Sequence, residues 1–283
     1  MRRWIGLVLI AVLTLGLGLS ALGYSNARAD PIVREAYVPI DDWPSDARPL
    51  RVLALSDVHI AGPDMPPEQV EQIAERLNRL RPDLILVAGD LISEKSVATR
   101  LYSEQEVAAP FAALEAPFGM IVAPGNHDHW VDLEAMAAAL ERHGITVLRN
   151  AAVRRGPVRI GAVDDDYTGH DDIPATFAAL DKLSDEFGSA PTIIVSHTPD
   201  IVPKLPRPVA AVFAGHTHCG QISLPIIGPL TTLSEYGDRF ACGMIRDGQQ
   251  IVFVGSGLGT SILPIRFGAP PDVWLVSFGP SEK

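Results

Sequence analysis

Five short apolar runs in this chain each end in side chains that can bind a metal. "RVLAL" (51–55) runs into Asp57 and His59, and "LILV" (84–87) into Gly89 and Asp90. "GMIVA" (119–123) leads to Gly125, Asn126, His127 and Asp128. "TIIV" (192–195) stops at His197, and "VAAVF" (209–213) at Gly215, His216 and His218. These motifs hold five of the eight histidines. Imidazole mixed with carboxylate suits zinc, iron and manganese, whereas a set of oxygens alone would suit magnesium or calcium. No cysteine is needed to complete the set.

The elements that must position these groups are legible from periodicity. The apolar runs are the length of buried strands, and helical spacing lies between some of them. Val70, Ile73, Ala74 and Leu77 share one helical face. Leu133, Met136, Ala137 and Leu140 share another, with Asp132 as its N-cap and Gly144 as its stop. Strand–helix alternation predicts an α/β layered domain. The chain after residue 214 reads as strands and turns, with "RDGQQ" as a hairpin turn. In α/β sheets a site forms beyond the carboxyl ends of the strands, so five strands ending together would gather all these ligands in one cleft. Glycines before Asp90, Asn126 and His216 are expected to turn the backbone sharply there.

The ordered motifs D-x-H, G-D, G-N-H-D, H and G-H-x-H resemble those of the calcineurin-like metallophosphoesterase superfamily, over about residues 50–260. That resemblance implies a four-layer αββα sandwich and two metal ions. One would be held by Asp57, His59, Asp90 and His218, and the other by Asp90, Asn126, His197 and His216, with Asp90 bridging. It implies hydrolysis of a phosphodiester or pyrophosphate by a metal-bridging hydroxide, with His127 as proton donor to the leaving oxygen. Asp128 either orients His127 or caps the following turn. The metals would be manganese, iron or zinc.

The second motif reads "GDLISEK", without the second aspartate and the arginine of the protein serine/threonine phosphatases, so a phosphate ester other than phosphoprotein is expected. "GHTHCGQISLP" and "GLGTSILPIRFGAPP" look more like the bacterial membrane-associated branch, which commonly has glycine where this chain has Cys219. Some members of that branch cleave UDP-2,3-diacylglucosamine, so a lipid-linked substrate is among the candidates. A membrane-tethered metal-binding protein without hydrolytic activity is the alternative.

Residues outside the motifs receive ordinary readings. Cys219 is expected to be a small buried residue, with a bridge to Cys242 as the second choice. Arg266 is read as half of a structural ion pair rather than a phosphate contact. His143 is placed at a helix end and His170 in a solvated loop. His129 lies beside the motifs without a role in them.

The N-terminus is a separate object. Residues 5–23, "IGLVLIAVLTLGLGLSALG", carry no charge and approach the roughly 20 residues that span a bilayer as a helix. Ala27 and Ala29 form an A-x-A pattern, so residues 1–29 read as a signal peptide or a membrane anchor. Arg2 and Arg3 before the stretch and Arg28 and Arg34 after it give a slight bias to an outward-facing domain, at the bacterial inner membrane or in the periplasm. A nucleotide-activated lipid would instead be met on the cytoplasmic leaflet. Residues 30–49, with four prolines, read as a linker to a catalytic domain at 50–283. The net charge of −11 argues against broad nucleic-acid binding, which relies on basic surface, so no nucleic-acid polymer is expected as partner.

Overall fold

The computed structural model describes residues 2–281. Along the chain come α1 (Arg2–Ala27), β1 (Ile32–Ile40), β2 (Leu50–Ser56), α2 (Pro67–Asn78), β3 (Leu84–Ala88), α3 (Glu104–Ala108) and β4 (Met120–Ala123). Next are α4 (Asn126–Val131), α5 (Leu133–Glu141), β5 (Thr146–Val147), β6 (Ala151–Arg155), β7 (Val158–Ala162), α6 (Ile173–Phe187), β8 (Thr192–Val195) and β9 (Ala211–Ala214). The strand-rich end holds β10 (Ser223–Leu224), β11 (Gly228–Pro229), β12 (Gly243–Asp247), β13 (Gln250–Val254) and β14 (Asp272–Pro280).

The motif-bearing strands are apolar throughout because both of their faces are covered. They divide between two six-stranded sheets rather than sharing one. The first sheet runs β1-β14-β2-β3-β4-β5, with β2, β3, β4 and β5 parallel. The second runs β12-β13-β9-β8-β7-β6, with β13, β9, β8 and β7 parallel. Between the sheets lies one apolar layer, drawn from Val52, Leu84, Leu86 and Trp274 on one side and Ile160, Ile193, Phe213 and Phe253 on the other. Alternate residues of the first sheet pack outward against α2 and α5, and those of the second against α6. The result is the expected αββα order of four layers.

The helical readings hold with one shift. Val70, Ile73, Ala74 and Leu77 are the buried face of α2. In α5 the buried face is Leu133, Met136, Ala139 and Leu140, so Ala139 replaces Ala137. Asp132 caps α5 by accepting from the Ala135 N–H at 3.0 Å, and Gly144 takes the left-handed conformation just past its end. "RDGQQ" closes the β12–β13 hairpin.

Residues 30–49 are not a free connector. Residues 32–40 form β1, which pairs in parallel with all nine residues of β14. The prolines mislead here because β1 is an edge strand, where Pro39 need donate no ladder hydrogen bond on the open side. Val38 is buried between the sheets, and the Trp43 indole, also buried, donates to the Ala47 carbonyl at 3.0 Å. A chain trimmed to residues 30–283 should therefore keep β1 and fold. One trimmed to 41–283 should bare the β14 edge and melt more than about 5 °C lower, or precipitate, in a thermal scan. Equal melting points would show that β1 adds nothing.

Candidate metal centre

Each motif side chain stands on the first residues after a strand, where the backbone bends away from the sheet. Asp57, His59, Asp90, His216 and His218 themselves occupy left-handed backbone, with φ of 48°, 46°, 57°, 65° and 49°. For a residue with a side chain that conformation costs about 1–2 kcal/mol, so the surrounding fold must hold it in place. Of the three glycines expected to make sharp turns, only Gly89 has positive φ, at 71°. Gly125 and Gly215 are needed for a different reason. A Cβ at Gly125 would overlap Asp90 Oδ1, and one at Gly215 would overlap Asp57 Oδ2. They are glycine so that the two loops can close on the carboxylates.

Hydrogen bonds between the sheets fix this approach. His197 Nδ1, from the second sheet, donates to the Ala88 carbonyl of the first at 2.9 Å, which turns Nε2 toward Asn126 and Asp90. The His216 N–H donates back to Asp57 Oδ1 at 2.9 Å. Within the first sheet, the His127 N–H donates to Asp90 Oδ1 at 2.8 Å.

The donor atoms fall into two groups that share Asp90. In one, His59 Nε2 lies 3.0 Å from His218 Nε2 and 3.5 Å from Asp90 Oδ2, and His218 Nε2 lies 3.5 Å from Asp57 Oδ1. In the other, Asn126 Oδ1 lies 3.0 Å from His197 Nε2 and 3.1 Å from His216 Nδ1, with Asp90 Oδ2 3.2 Å from His197 Nε2. Ligands about 2.0–2.2 Å from a common metal stand roughly 3.0–3.5 Å from each other, which is the spacing seen. Asp57, His59, Asp90 and His197 are buried.

The electrostatics of the cluster are divided: against their burial, Asp90 and His197 hold each other charged, the carboxyl well below and the imidazole well above its ordinary value. Burial raises the Asp57 carboxyl to about 6, partly offset by the pull of His197 and reinforced by Asp90. Burial drives the His59 and His218 imidazoles well below their ordinary value, and His216 to about 3. Neutral imidazoles with free lone pairs are the form that ligates metals. Bound cations would relieve the repulsion among the buried carboxylates.

His127 adjoins the other donors: with His59 and Asp90 it forms a group of buried side chains close enough to hold an ion. Its Nδ1 lies 2.6 Å from Glu94 Oε2, and its Nε2 reaches to 3.9 Å from Asp90 Oδ2. Glu94 lies outside the sequence motifs. Its only signal there is a carboxylate in the loop that leaves the Gly-Asp motif. Asp128 does not orient His127. Its two oxygens accept from the backbone N–H groups of Gly125, Asp90 and Leu91, each at 2.9 Å. It is the turn cap, and it pins the loop carrying Asp90 to the loop carrying Asn126.

A profile of the family described as calcineurin-like phosphoesterase matches residues 50–220. The chain belongs to this family. YkuE, an uncharacterized metallophosphoesterase of Bacillus subtilis (strain 168), is 33% identical over 231 residues, covering 79% of this chain and 77% of that protein. A Danio rerio transmembrane protein with metallophosphoesterase domain is 29% identical over 90% of this chain and 59% of its own length. Among solved structures, a 5'-nucleotidase precursor from Thermus thermophilus aligns with a TM-score of 0.50 at 15% identity, over 81% of this chain and 55% of that one. That likeness concerns the fold.

As a calcineurin-like phosphoesterase, the protein is a metal-dependent phosphoester hydrolase, and its substrate is a phosphate ester. Some residues around the centre depart from their sequence readings. Cys219 and Cys242 form a disulfide across 23 positions, with Cα atoms 4.7 Å apart. The excursion between them folds back on itself, which spacing alone does not reveal. Arg266 is fully buried and makes no ion pair among the described residues. Its guanidinium donates to the carbonyls of Ser256, Gly257, Gly259 and Ala269, and lies 3.4 Å from His218 Nδ1. His129 lies 2.7 Å from Asp164 and stacks on His170 at 3.9 Å between ring centres. Two exposed aromatics flank the mouth of the site: Trp130 packs edge-on to His127, and Tyr167 lies over His216.

Gly215→Ala tests the closeness of the loops. Its new methyl must displace the Asp57 carboxylate, so purified protein should hold less than about half the wild-type metal by elemental analysis while keeping its far-ultraviolet circular dichroism. Full metal content in the variant would refute the close-approach account.

Proposed function

We propose that the protein cleaves phosphodiester or pyrophosphate bonds, with His127 as the proton donor to the leaving oxygen and Glu94 positioning it. The observation that carries this reading is the 2.6 Å contact between His127 Nδ1 and Glu94 Oε2 beside the ligand cluster. Asp57, His59, Asp90 and His218 would hold one ion, and Asp90, Asn126, His197 and His216 the other, each of them manganese, iron or zinc. When bound, such a pair polarises a phosphoryl oxygen and brings the pKa of a bound water toward neutrality.

The chain's own groups supply the rest. Glu94 accepts the Nδ1 proton of His127 and leaves Nε2 facing the centre. Burial pulls the His127 pKa down, but the bond to Glu94 and the nearby Asp90 carboxylate outweigh it, and the net shift is upward. That direction favours the protonated form that an acid needs. No nucleophilic side chain is required.

The substrate we favour is a phosphate ester, lipid-linked or otherwise, on the outer side of a bacterial inner membrane. α1 has a 24-residue apolar span, long enough to cross a bilayer. The Cys219–Cys242 disulfide supports an oxidising compartment. UDP-2,3-diacylglucosamine fits the chemistry but needs the opposite orientation, so it stands second.

His127→Ala should keep its metal and lose about 10²–10⁴-fold in kcat, least for esters with good leaving groups. Glu94→Gln should lose about tenfold, with the same leaving-group dependence. Loss of metal in His127→Ala, or a loss independent of the leaving group, would remove it as the acid. A C-terminal fusion to a periplasm-dependent alkaline phosphatase should be active and a fusion to green fluorescent protein dark. The reverse pattern would restore the nucleotide-activated lipid.

A further inference from the structure

An apolar cavity of about 240 Å³ adjoins the metal centre. His216 and His218 form its inner wall, and Leu230, Leu233, Ile262 and Leu263 its outer part. Around it the sequence is unusual for a surface. Residues 219–234 and 255–265 contain no charged side chain. At the turn between β10 and β11, Ile226 is fully exposed and Ile227 largely so, and Ile262 is also open to solvent. A contiguous exposed apolar surface of this kind marks an interaction site.

Its partner is indicated by what else is attached to it. The Ser223 N–H donates to the Phe267 carbonyl at 2.7 Å, which ties the β10–β11 hairpin to the segment after Arg266. The Gln221 side chain donates to the carbonyls of Leu263 and Ile265, at 3.0 and 3.1 Å. The same segment receives the end of α1. The Arg266 N–H donates to the Gly23 carbonyl at 2.9 Å, the Asn26 amide donates to the Arg266 carbonyl at 3.1 Å, and a Cβ at Gly23 would overlap the Phe267 ring. Hairpin, cavity rim and apolar helix thus all meet on residues 261–268. The apolar part of α1 is otherwise unburied. A bilayer that surrounds α1 therefore begins beside this face.

We infer that the face formed by the β10–β11 hairpin and residues 262–263 rests in the lipid bilayer, and that the substrate is a phosphoester of a membrane lipid whose apolar chain occupies the cavity. This rests on the phosphoester-hydrolase reading and deepens it. A chain lying against Leu230, Leu233 and Leu263 ends at His216 and His218, so the ester phosphate arrives at the metal ligands without leaving the interface. The outer isoleucines meet acyl chains and the centre faces the headgroups.

The test uses the full-length, metal-loaded protein in vesicles of phosphatidylethanolamine and phosphatidylglycerol. Emission added by Ile226→Trp should be quenched by bromine-labelled acyl chains and spared by aqueous iodide. Quenching by iodide alone, or by neither, would overturn the assignment, the first placing the tip in water and the second against protein. The double variant I226S/I227S should lose at least about tenfold in kcat/KM on a para-nitrophenyl phosphatidyl ester embedded in the vesicles. It should stay within about twofold on water-soluble bis(para-nitrophenyl) phosphate. Equal loss on both substrates, or none on the lipid, would refute it. If the wild type hydrolysed neither substrate, the hydrolase reading would fail while the quenching experiment still decided the docking.

Discussion

Two carboxylates and four imidazoles cannot be packed together out of water unless positive charge joins them. Burying an isolated ionised group costs far more than a domain's net stability, and here Asp57 and Asp90 are almost inaccessible. Burial disfavours the charged forms of Asp57, His59 and His218, as their shifts record, while Asp90 stays ionised only through its contact with a protonated His197. The fold therefore maintains a constellation whose natural complement is a cation. Much of the surrounding structure can be read as the means of holding it.

Five of the seven candidate donors stand on left-handed backbone, and such strain persists only where the surroundings over-determine it. The carboxylates answer this by doing double duty. Asp57 presents an oxygen to the cluster while also accepting from the His216 N–H of the opposite sheet. Asp90 also faces the cluster while accepting from the His127 N–H, here within one sheet. Asp128 accepts from the backbone N–H groups of Gly125, Asp90, Leu91 and Ile92 and so locks two of the motif loops together. Gly125 and Gly215 let these contacts form, since a methyl at either position would sit where a carboxylate oxygen must be. Ligand geometry and sheet-to-sheet packing are thus one set of interactions.

This explains what the sequence could and could not disclose. The strand ends were legible because buried parallel strands are uniformly apolar and their ligands stand immediately after them. The division into two sheets was not, because an apolar run carries no mark of which sheet it joins. β1 was hidden by prolines that an edge strand tolerates. Glu94 reaches His127 through a loop with no periodicity, and the Cys219–Cys242 pair depends on how the intervening excursion folds. Arg266 invited an ion-pair reading because a buried arginine normally finds a carboxylate. Here it finds carbonyls left over by a loop that makes no regular structure.

That choice gives Arg266 a position no salt bridge would. A loop passing close to a metal centre has carbonyls that need donors, and a guanidinium offers five N–H groups in one fixed plane. Arg266 meets carbonyls from both sides of the loop and stands beside the outer nitrogen of His218. Its own backbone N–H and carbonyl hold the end of α1. The placement of His218 and the placement of the apolar helix therefore converge on a single residue. A flexible linker would let the catalytic domain tumble above a membrane anchor. Two hydrogen bonds to the backbone of a residue that is itself fully buried do not allow that freedom, so the direction of α1 and the mouth of the site are set by the same packing.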